Sequence, residues 1–413
     1  MKAIKLTDRI YWIGANVHTE DLFEGIWPIP NGVALNVYVI KGDKIAVIEL
    51  VRQWGGAATN LLENLKSLSI SIKDIDYLVL NHLEPDHTGF TYILRSLAPN
   101  SQIITTEKGA DLVDGFYGIK DNILTVKTGD TVELGQNMAL EFTEIPHVHW
   151  PETMVTYEKN SKILFSGDAF GAYGVHQGSI FDDKTADVSK PYWEKEMLRY
   201  YANIIATFSP NVIKAIKSVS SLDIKMIAPS HGLIWRGKPE VVIKKYRRYA
   251  NYNKDYAEPE VCVVWGSMYG NTEAMLNAIL KGITHENVSV NIHRVPNEDV
   301  SFILADAYKC AGLVIGTPTY EYSMFPPMKY FMELLQKKHV WYKKVLFFGS
   351  YGWSGGAQKE FNNLTDNMKW DILEPLSFKG YPTVELLEKG EVLARELASQ
   401  VKKIPSKVKN EEY

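Results

Sequence analysis

NHLEPDHTG, residues 81–89, follows directly on DYLVL at 76–80, and this junction decides the reading of the first half of the chain. DYLVL has the apolar density of a buried strand. Alternation at its end sends His82 and Glu84 to one side, while Asp86 and His87 fall where the next helix begins. One histidine in such a place is ordinarily a satisfied core residue. Four acid or imidazole groups within six residues are poor core material unless paired or metallated. Three later stretches repeat the arrangement of an apolar strand, a ligand-type residue and a turn. They are IPHVHWPE (145–152) with His147 and His149, ILFSGDAFG (163–171) with Asp168, and MIAPSHGLIW (226–235) with His231. His149, beside Trp150-Pro151, is the expected ligand of its pair, and His147 a supporting or structural residue.

Composition narrows the setting. The 413 residues suggest two or three domains, and 46% apolar with 23% charged residues is the make-up of a globular chain with a real core. Lys+Arg 45 against Asp+Glu 49 leaves −4, so no strong positive field exists to hold nucleic acid or an anionic membrane. The only cysteines are Cys262 and Cys310, each in an apolar run, which excludes a disulfide framework, a CxxC zinc site and a rubredoxin or iron–sulfur module. Any metal must use histidine and carboxylate. The N-terminus lacks the apolar stretch of a signal peptide, and no segment approaches 18 apolar residues, so a soluble, cytoplasmic protein is expected.

Around the ligand-rich junction, residues 1–256 read as short β-branched strands (IYWIGANV, VALNVYVI, KIAVIEL, SQIITT, NILTVK, MALEFTEIP, MVTYEK, KILFSGDA) with helices at GAATNLLENLKSL, GFTYILRSLAP, KGADLVDGFYG, WEKEMLRYYANIIATF and PNVIKAIKSVSSL. That order predicts strands sandwiched between helices. A basic helix then ends, Glu258-Pro259-Glu260 follows as a linker, and a boundary is expected near 257. Residues 257–401 alternate strand and helix in the manner of a doubly wound parallel sheet, with strands at VCVVW, SVNIHRV, AGLVIGTPT, KVLFFGSYG and TVELL. Residues 402–413 read as a charged, solvated tail.

Directly after the first of these strands, Ser267, Met268, Tyr269, Gly270, Asn271 and Thr272 form a strand-to-helix loop with the backbone N–H groups and hydroxyls that hold a phosphate. It has neither the P-loop lysine pattern nor GxGxxG, which favours a mononucleotide such as FMN. The plainer alternative is a helix capped by Thr272 or Asn271. Two further loops stand at strand C-termini: Thr317, Pro318, Thr319 and Tyr320, then Ser350, Tyr351, Gly352, Trp353, Gly355 and Gly356. Ligands of such sheets bind at that edge, where Tyr320 and Trp353 can border a flavin ring.

The HxExDH pattern with later His, Asp and His resembles the metallo-β-lactamase superfamily. Followed by a flavodoxin-like half, it resembles the flavodiiron proteins, or A-type flavoproteins, over essentially residues 1–401. The resemblance implies an α/β chain with an N-terminal αββα metallo-β-lactamase-like sandwich, then a flavodoxin-like doubly wound parallel sheet. It implies FMN passing electrons to two non-haem iron ions, a diiron centre that reduces dioxygen to water, nitric oxide to nitrous oxide, or both. The family's ligand roles fall on His82, Glu84 and His149 for one iron and on Asp86, His87 and His231 for the other, with Asp168 bridging; His87 is the weakest member by pattern. Zinc hydrolases of the superfamily commonly have histidine where this chain has Glu84. Three carboxylates and a hydroxide balance two divalent cations, and the added anionic ligation favours ferric iron, so iron is expected rather than zinc. The alternatives are a dinuclear metal hydrolase with an accessory flavodoxin domain and an electron carrier with structural metals.

Two departures from the family bear on the chemistry. The usual HWPD is here His149-Trp150-Pro151-Glu152, and a pocket histidine common before the second strand has no clear match in EDLFEGIWPIPNGVALN, where Glu24 is the substitute considered. His176 is a second pocket candidate, with an exposed loop position as its plain alternative; Tyr173, Tyr200 and Trp150 are candidate walls of a gas pocket. The expected partners are the gas itself and a separate electron donor such as rubredoxin, a flavin reductase or reduced deazaflavin. A flavin edge about 20 Å from the chain's entry into the second sheet points to a head-to-tail homodimer or dimer of dimers.

Overall fold

Short runs of β-branched residues do build the first half. The computed structural model describes residues 2–186 and 189–408. One sheet has seven strands in the order Ile4–Lys5, Ile10–Trp12, Tyr38–Lys41, Ile45–Ile48, Tyr77–Val79, Gln102–Thr105 and Ile123–Thr125. A second has five, in the order Thr131–Gly135, Met138–Glu144, Met154–Glu158, Ile163–Phe165 and Met226–Ala228. Their inner faces form one core, with Trp12, Ile40, Ile48, Val79 and Ile104 of the first sheet in a single buried cluster with Leu140, Phe142, Met154, Phe165 and Ala228 of the second. Amphipathic helices such as Ala57–Ser67, which buries Leu61 and Leu65, complete the αββα sandwich.

The second half is a parallel sheet in the order Val290–Arg294, Glu258–Trp265, Cys310–Gly316, Lys344–Tyr351, after which both Asp371–Ile372 and Leu376–Lys379 pair with Lys344–Tyr351. Val261, Val263 and Trp265 face a core shared with the helices Asn271–Thr284 and Val384–Lys402. Period-two alternation turns Cys262 and Val264 to the other face. By compactness one unit runs to Tyr201 and takes Pro210–Arg247; the other takes Ala202–Ser209 and the chain from Arg248 onward. Among the described residues no helix is long and apolar enough to cross a membrane.

Several elements differ from the sequence reading. TVELL is not a strand: Thr383 caps the helix Val384–Lys402 by accepting from the Leu386 N–H, and Leu393, Leu397 and Val401 recur at helical spacing. The last strand is instead Leu376–Lys379, where buried Leu376 and Phe378 alternate with exposed Ser377 and Lys379. Glu258-Pro259-Glu260 is not a linker but the start of the strand Glu258–Trp265, with a register shift between Glu258 and Val261, as the missing N–H of Pro259 requires. The helix expected through Phe208 is α-helical only over Lys190–Tyr200, passing into a π-turn at Tyr201–Ile205.

Candidate metal centre and flavin edge

The strand Tyr77–Val79 stops short of the ligand-rich segment, so His82 and Glu84 project from a loop, and Asp86 and His87 from the single helical turn Pro85–Thr88. Backbone ties bring the other stretches to this loop. The Met154 N–H donates to the Asn81 carbonyl, the Ser166 N–H to that of Ala228, and the Ser230 N–H to that of Gly167. The result is two groups of ligand-type side chains, all buried: His82, Glu84, His149 and Asp168, and beside them Asp86, His87 and His231.

Asp168 faces both. Its Oδ2 lies 3.1 Å from His149 Nε2 and 3.5 Å from His82 Nε2, while its Oδ1 lies 2.9 Å from His87 Nε2 and 3.5 Å from His231 Nε2. Glu84 Oε2 reaches His149 Nε2 at 3.1 Å, and Asp86 Oδ2 reaches His231 Nε2 at 3.0 Å. Despite these approaches, both oxygens of Asp86 and Asp168 and the Nε2 atoms of His82, His87 and His231 make no hydrogen bond. Buried polar atoms left so are costly unless something else satisfies them, and four imidazoles with three carboxylates turned inward suit divalent or trivalent cations. The far nitrogens are committed elsewhere. His82 Nδ1 meets Glu152 Oε1 at 2.8 Å, and His231 Nδ1 meets the Ala34 carbonyl at 2.8 Å, so in each ring Nε2 is the atom left for a metal.

Electrostatics report the same crowding. Burial disfavours charge on His82, His87 and His149, yet the facing carboxylates outweigh it: His82 is held well above its ordinary value, His149 at about 9 and His87 at about 10. Burial also works against ionised Glu84 and Asp168, and the imidazoles around them hold both well below the carboxylate range.

Other expected residues fall elsewhere. His147 is exposed, with φ 63°, and lies outside both groups. His176 is neither a pocket residue nor exposed: it is a core histidine bonded to the Gly232 carbonyl at 2.8 Å, and desolvation pulls it down to about 4. Glu24 is exposed and accepts from Trp27 Nε1. Its neighbour Phe23, which the sequence did not single out, is the residue that packs on His231, with ring centroids 5.6 Å apart, and it also meets Tyr173 and Tyr200. Tyr200 lies 5.8 Å from His231, and Trp150 packs edge-on to His82 at 5.1 Å. The Tyr200 hydroxyl is buried and makes no hydrogen bond.

In the second unit the three loops stand at the C-terminal ends of adjacent parallel strands and are pinned by hydroxyls. Thr272 Oγ1 and Ser350 Oγ lie 2.9 Å apart, and Thr319 Oγ1 accepts from the Gly356 and Ala357 N–H groups at 3.2 Å each. Neither Asn271 nor Thr272 caps the helix. Gly270 stands at the N-cap with φ 90°, a conformation open to glycine, and donates its N–H to Ser267 Oγ. A cleft at this edge is lined by Thr319, Tyr351, Trp353 and Gly355 of the second and third loops; the loop 267–272 is not among its walls. Tyr269 and Trp353 are 91% and 74% exposed, so their rings are free to lie against a planar ligand.

Comparison with known proteins settles the kinship. Residues 33–232 match the model described as ODP family beta lactamase, and residues 263–391 match that of flavodoxin. The anaerobic nitric oxide reductase flavorubredoxin of Vibrio vulnificus is 34% identical over 370 residues, covering 88% of this chain and 73% of that protein. The chain belongs to the flavodiiron protein family. Solved structures of this family superpose along nearly the whole length. The rubredoxin oxygen:oxidoreductase of Desulfovibrio gigas has a TM-score of 0.90 at 27% identity, covering 97% of this chain and 99% of that one. The flavodiiron protein of Giardia intestinalis has the same TM-score and identity, covering 97% of each. Within the flavodiiron frame the departure at Glu152 has a structural consequence: the side chain is buried and accepts from the Leu83 N–H as well as from His82.

Proposed function

We propose that the chain is an oxidoreductase that reduces nitric oxide to nitrous oxide, dioxygen to water, or both, at two non-haem irons supplied with electrons by FMN. The observation that carries this reading is the placement of Asp168, with one oxygen turned to each of two buried donor groups. His82, Glu84 and His149 would hold one iron, Asp86, His87 and His231 the other, and Asp168 would serve both. Iron and FMN bound at these residues would supply the electrons for reducing the gas. The names of the relatives, one a nitric oxide reductase and one a rubredoxin oxygen:oxidoreductase, support both substrates.

The chain's own residues divide the remaining work. Glu152 and the Ala34 carbonyl fix the tautomers of His82 and His231, so each presents Nε2. Phe23, Tyr173 and Tyr200 pack edge to face beside His231 and exclude bulk water. Nitric oxide coupling consumes two protons and dioxygen reduction four, and the Tyr200 hydroxyl is a buried donor without a hydrogen-bond partner whose ring packs beside His231. Tyr200→Phe should therefore keep full metal content and lower gas turnover by about 100-fold. Unchanged turnover at full metal loading would remove Tyr200 from the proton path.

Ser267, Met268, Tyr269, Gly270, Asn271 and Thr272 would hold the phosphate of FMN, and Thr317–Tyr320, Ser350–Trp353 and Gly355 would border its ring. We divide the chain at about residue 257 into these two functional parts, with a charged tail from 402. Cys262 and Cys310 are buried free thiols, and the electron donor we assign is a separate rubredoxin, a flavin reductase or reduced deazaflavin. Free thiols also fit a reducing, cytoplasmic setting. The assembly is a head-to-tail homodimer or dimer of dimers. Support comes from the strand Glu258–Trp265, which sets its flavin loop a full strand, about 26 Å, from the point of chain entry. Glu84 speaks against the hydrolase, since its carboxylate makes the site harder than one rich in imidazole. The deciding experiment is metal and flavin analysis with anaerobic stopped-flow mixing. About two irons and one FMN per chain, reoxidised rapidly by either gas, are expected. Two zincs with a flavin inert to both gases would replace this reading with the hydrolase.

A further inference from the structure

The two donor groups are matched ligand for ligand. Each offers two imidazoles and one carboxylate of its own, His82, His149 and Glu84 against His87, His231 and Asp86, and they share Asp168. What differs lies one bond further out. His82 Nδ1 is 2.8 Å from the Glu152 carboxylate, whereas His231 Nδ1 is 2.8 Å from a neutral backbone carbonyl, that of Ala34. Glu152 is firmly placed. The same Oε1 accepts the Leu83 N–H at 2.9 Å, and the Glu152 carbonyl accepts from Thr106 Oγ1, itself the cap of the helix Glu107–Tyr117. Both His82 and Glu152 are fully buried, so no solvent screens the charge. Glu49, a second buried carboxyl near the cluster, accepts from the Asn81 N–H and not from an imidazole.

An anionic acceptor on the far N–H of an imidazole increases electron donation from the metal-binding nitrogen and stabilises the higher oxidation state of the metal; a carbonyl does so less. Resting on the diiron reading above, we propose that Glu152 is a positioning residue that makes the two irons electronically unequal, with the iron held by His82, Glu84 and His149 the first to become ferric. In a one-electron oxidation of the diferrous protein by ferricyanide, one electron leaves that iron and reduces ferricyanide to ferrocyanide. The iron at Asp86, His87 and His231 stays ferrous, and His82 keeps its Nδ1 proton. The half-oxidised protein is then a localised ferric–ferrous pair.

The test is anaerobic titration of iron-57-loaded full-length protein with ferricyanide, read by Mössbauer and electron paramagnetic resonance spectra. In the unaltered protein, one oxidising equivalent should produce a localised ferric–ferrous pair as the dominant species. Only diferric and diferrous forms at that point would overturn the inference without recourse to any variant. Glu152→Gln keeps an oxygen acceptor for His82 and Leu83 but removes the charge. It should lower the comproportionation constant at least tenfold, which corresponds to the two potentials converging by about 59 mV. Glu152→Asp retains the charge and should stay near the unaltered value. If Glu152→Gln holds two irons and forms the half-oxidised pair as fully as the unaltered protein, or if Glu152→Asp falls as far as Glu152→Gln, charge at this position is not the cause. A preparation that takes up two zincs and no iron fails at the functional reading instead, so the two failures are told apart by metal analysis.

Discussion

Asp168→Ala should empty both metal sites at once. The side chain is fully buried, and its two oxygens approach His149 and His82 on one side and His87 and His231 on the other, at 2.9 to 3.5 Å. The other two carboxylates each face one group alone, Glu84 the imidazoles of His82 and His149 and Asp86 those of His87 and His231. Loss of a residue that only orients a ligand costs a metal site about 10–100-fold in affinity, so loss of a ligand shared by two sites should exceed 100-fold at each. The chain should still fold. The hydroxyl and backbone ties that shape the surrounding loops, such as the Ser166 N–H to Ala228 and the Ser230 N–H to Gly167, do not pass through the Asp168 side chain. After gel filtration the variant should carry well under one metal per chain, keep its FMN, and consume neither gas. Asp168→Asn keeps one oxygen and the shape, and should hold one metal loosely. Two firmly held metals in Asp168→Ala would mean that the two sites are independent, and the bridging role would be gone.

How much of this was legible in the sequence depends on whether a signal is local. HLEPDH stands out because charged groups so dense beside an apolar strand violate core composition, and His149, Asp168 and His231 repeat the strand-then-turn setting. Three-dimensional facts carry the rest. His176 and His231 both follow apolar segments, yet one bonds the Gly232 carbonyl within the core while the other turns into the cluster. What separates them is Asn36, whose amide donates to Pro229 O and Gly232 O at 2.9 Å each, together with the Ala34 carbonyl; both sit nearly 200 residues away. Phe23 was missed for the same reason, since an aromatic residue between exposed neighbours gives no hint of what it will cover. The strand misread at TVELL shows the limit of periodicity in five residues: alternation was present, but a Thr cap followed by nineteen helical residues outweighed it.

Removing the metals should leave a protein whose stability falls as pH rises, while the loaded protein holds steady. In the metal-free cluster the carboxylates raise His87 to about 10 and His149 to about 9, against about 6.5 for an unfolded histidine. A group whose pKa is raised on folding contributes stability that is fully present below its unfolded value and is lost as pH passes through its folded value. The metal-free form is therefore best stabilised below about pH 6.5 and loses that contribution up to about pH 10. Glu49, raised to about 8 by burial, acts in the same direction between its unfolded value and pH 8. In the loaded protein the imidazoles are already neutral, since metal has displaced their protons, and the loss does not occur. Lys343 opposes the trend: burial lowers it to about 7, so its penalty fades toward alkaline pH, but it lies in the second unit and contributes equally with or without metal. The quantity to measure is thus the difference in melting temperature between loaded and metal-free protein, followed from pH 6 to pH 10. A gain of about 2 kcal/mol would widen that gap by about 4–8 °C for a domain of this size, and the same protons should appear in the medium when metal is added back at pH 8. A gap that narrows toward alkaline pH would show that protons do not stand in for the cations.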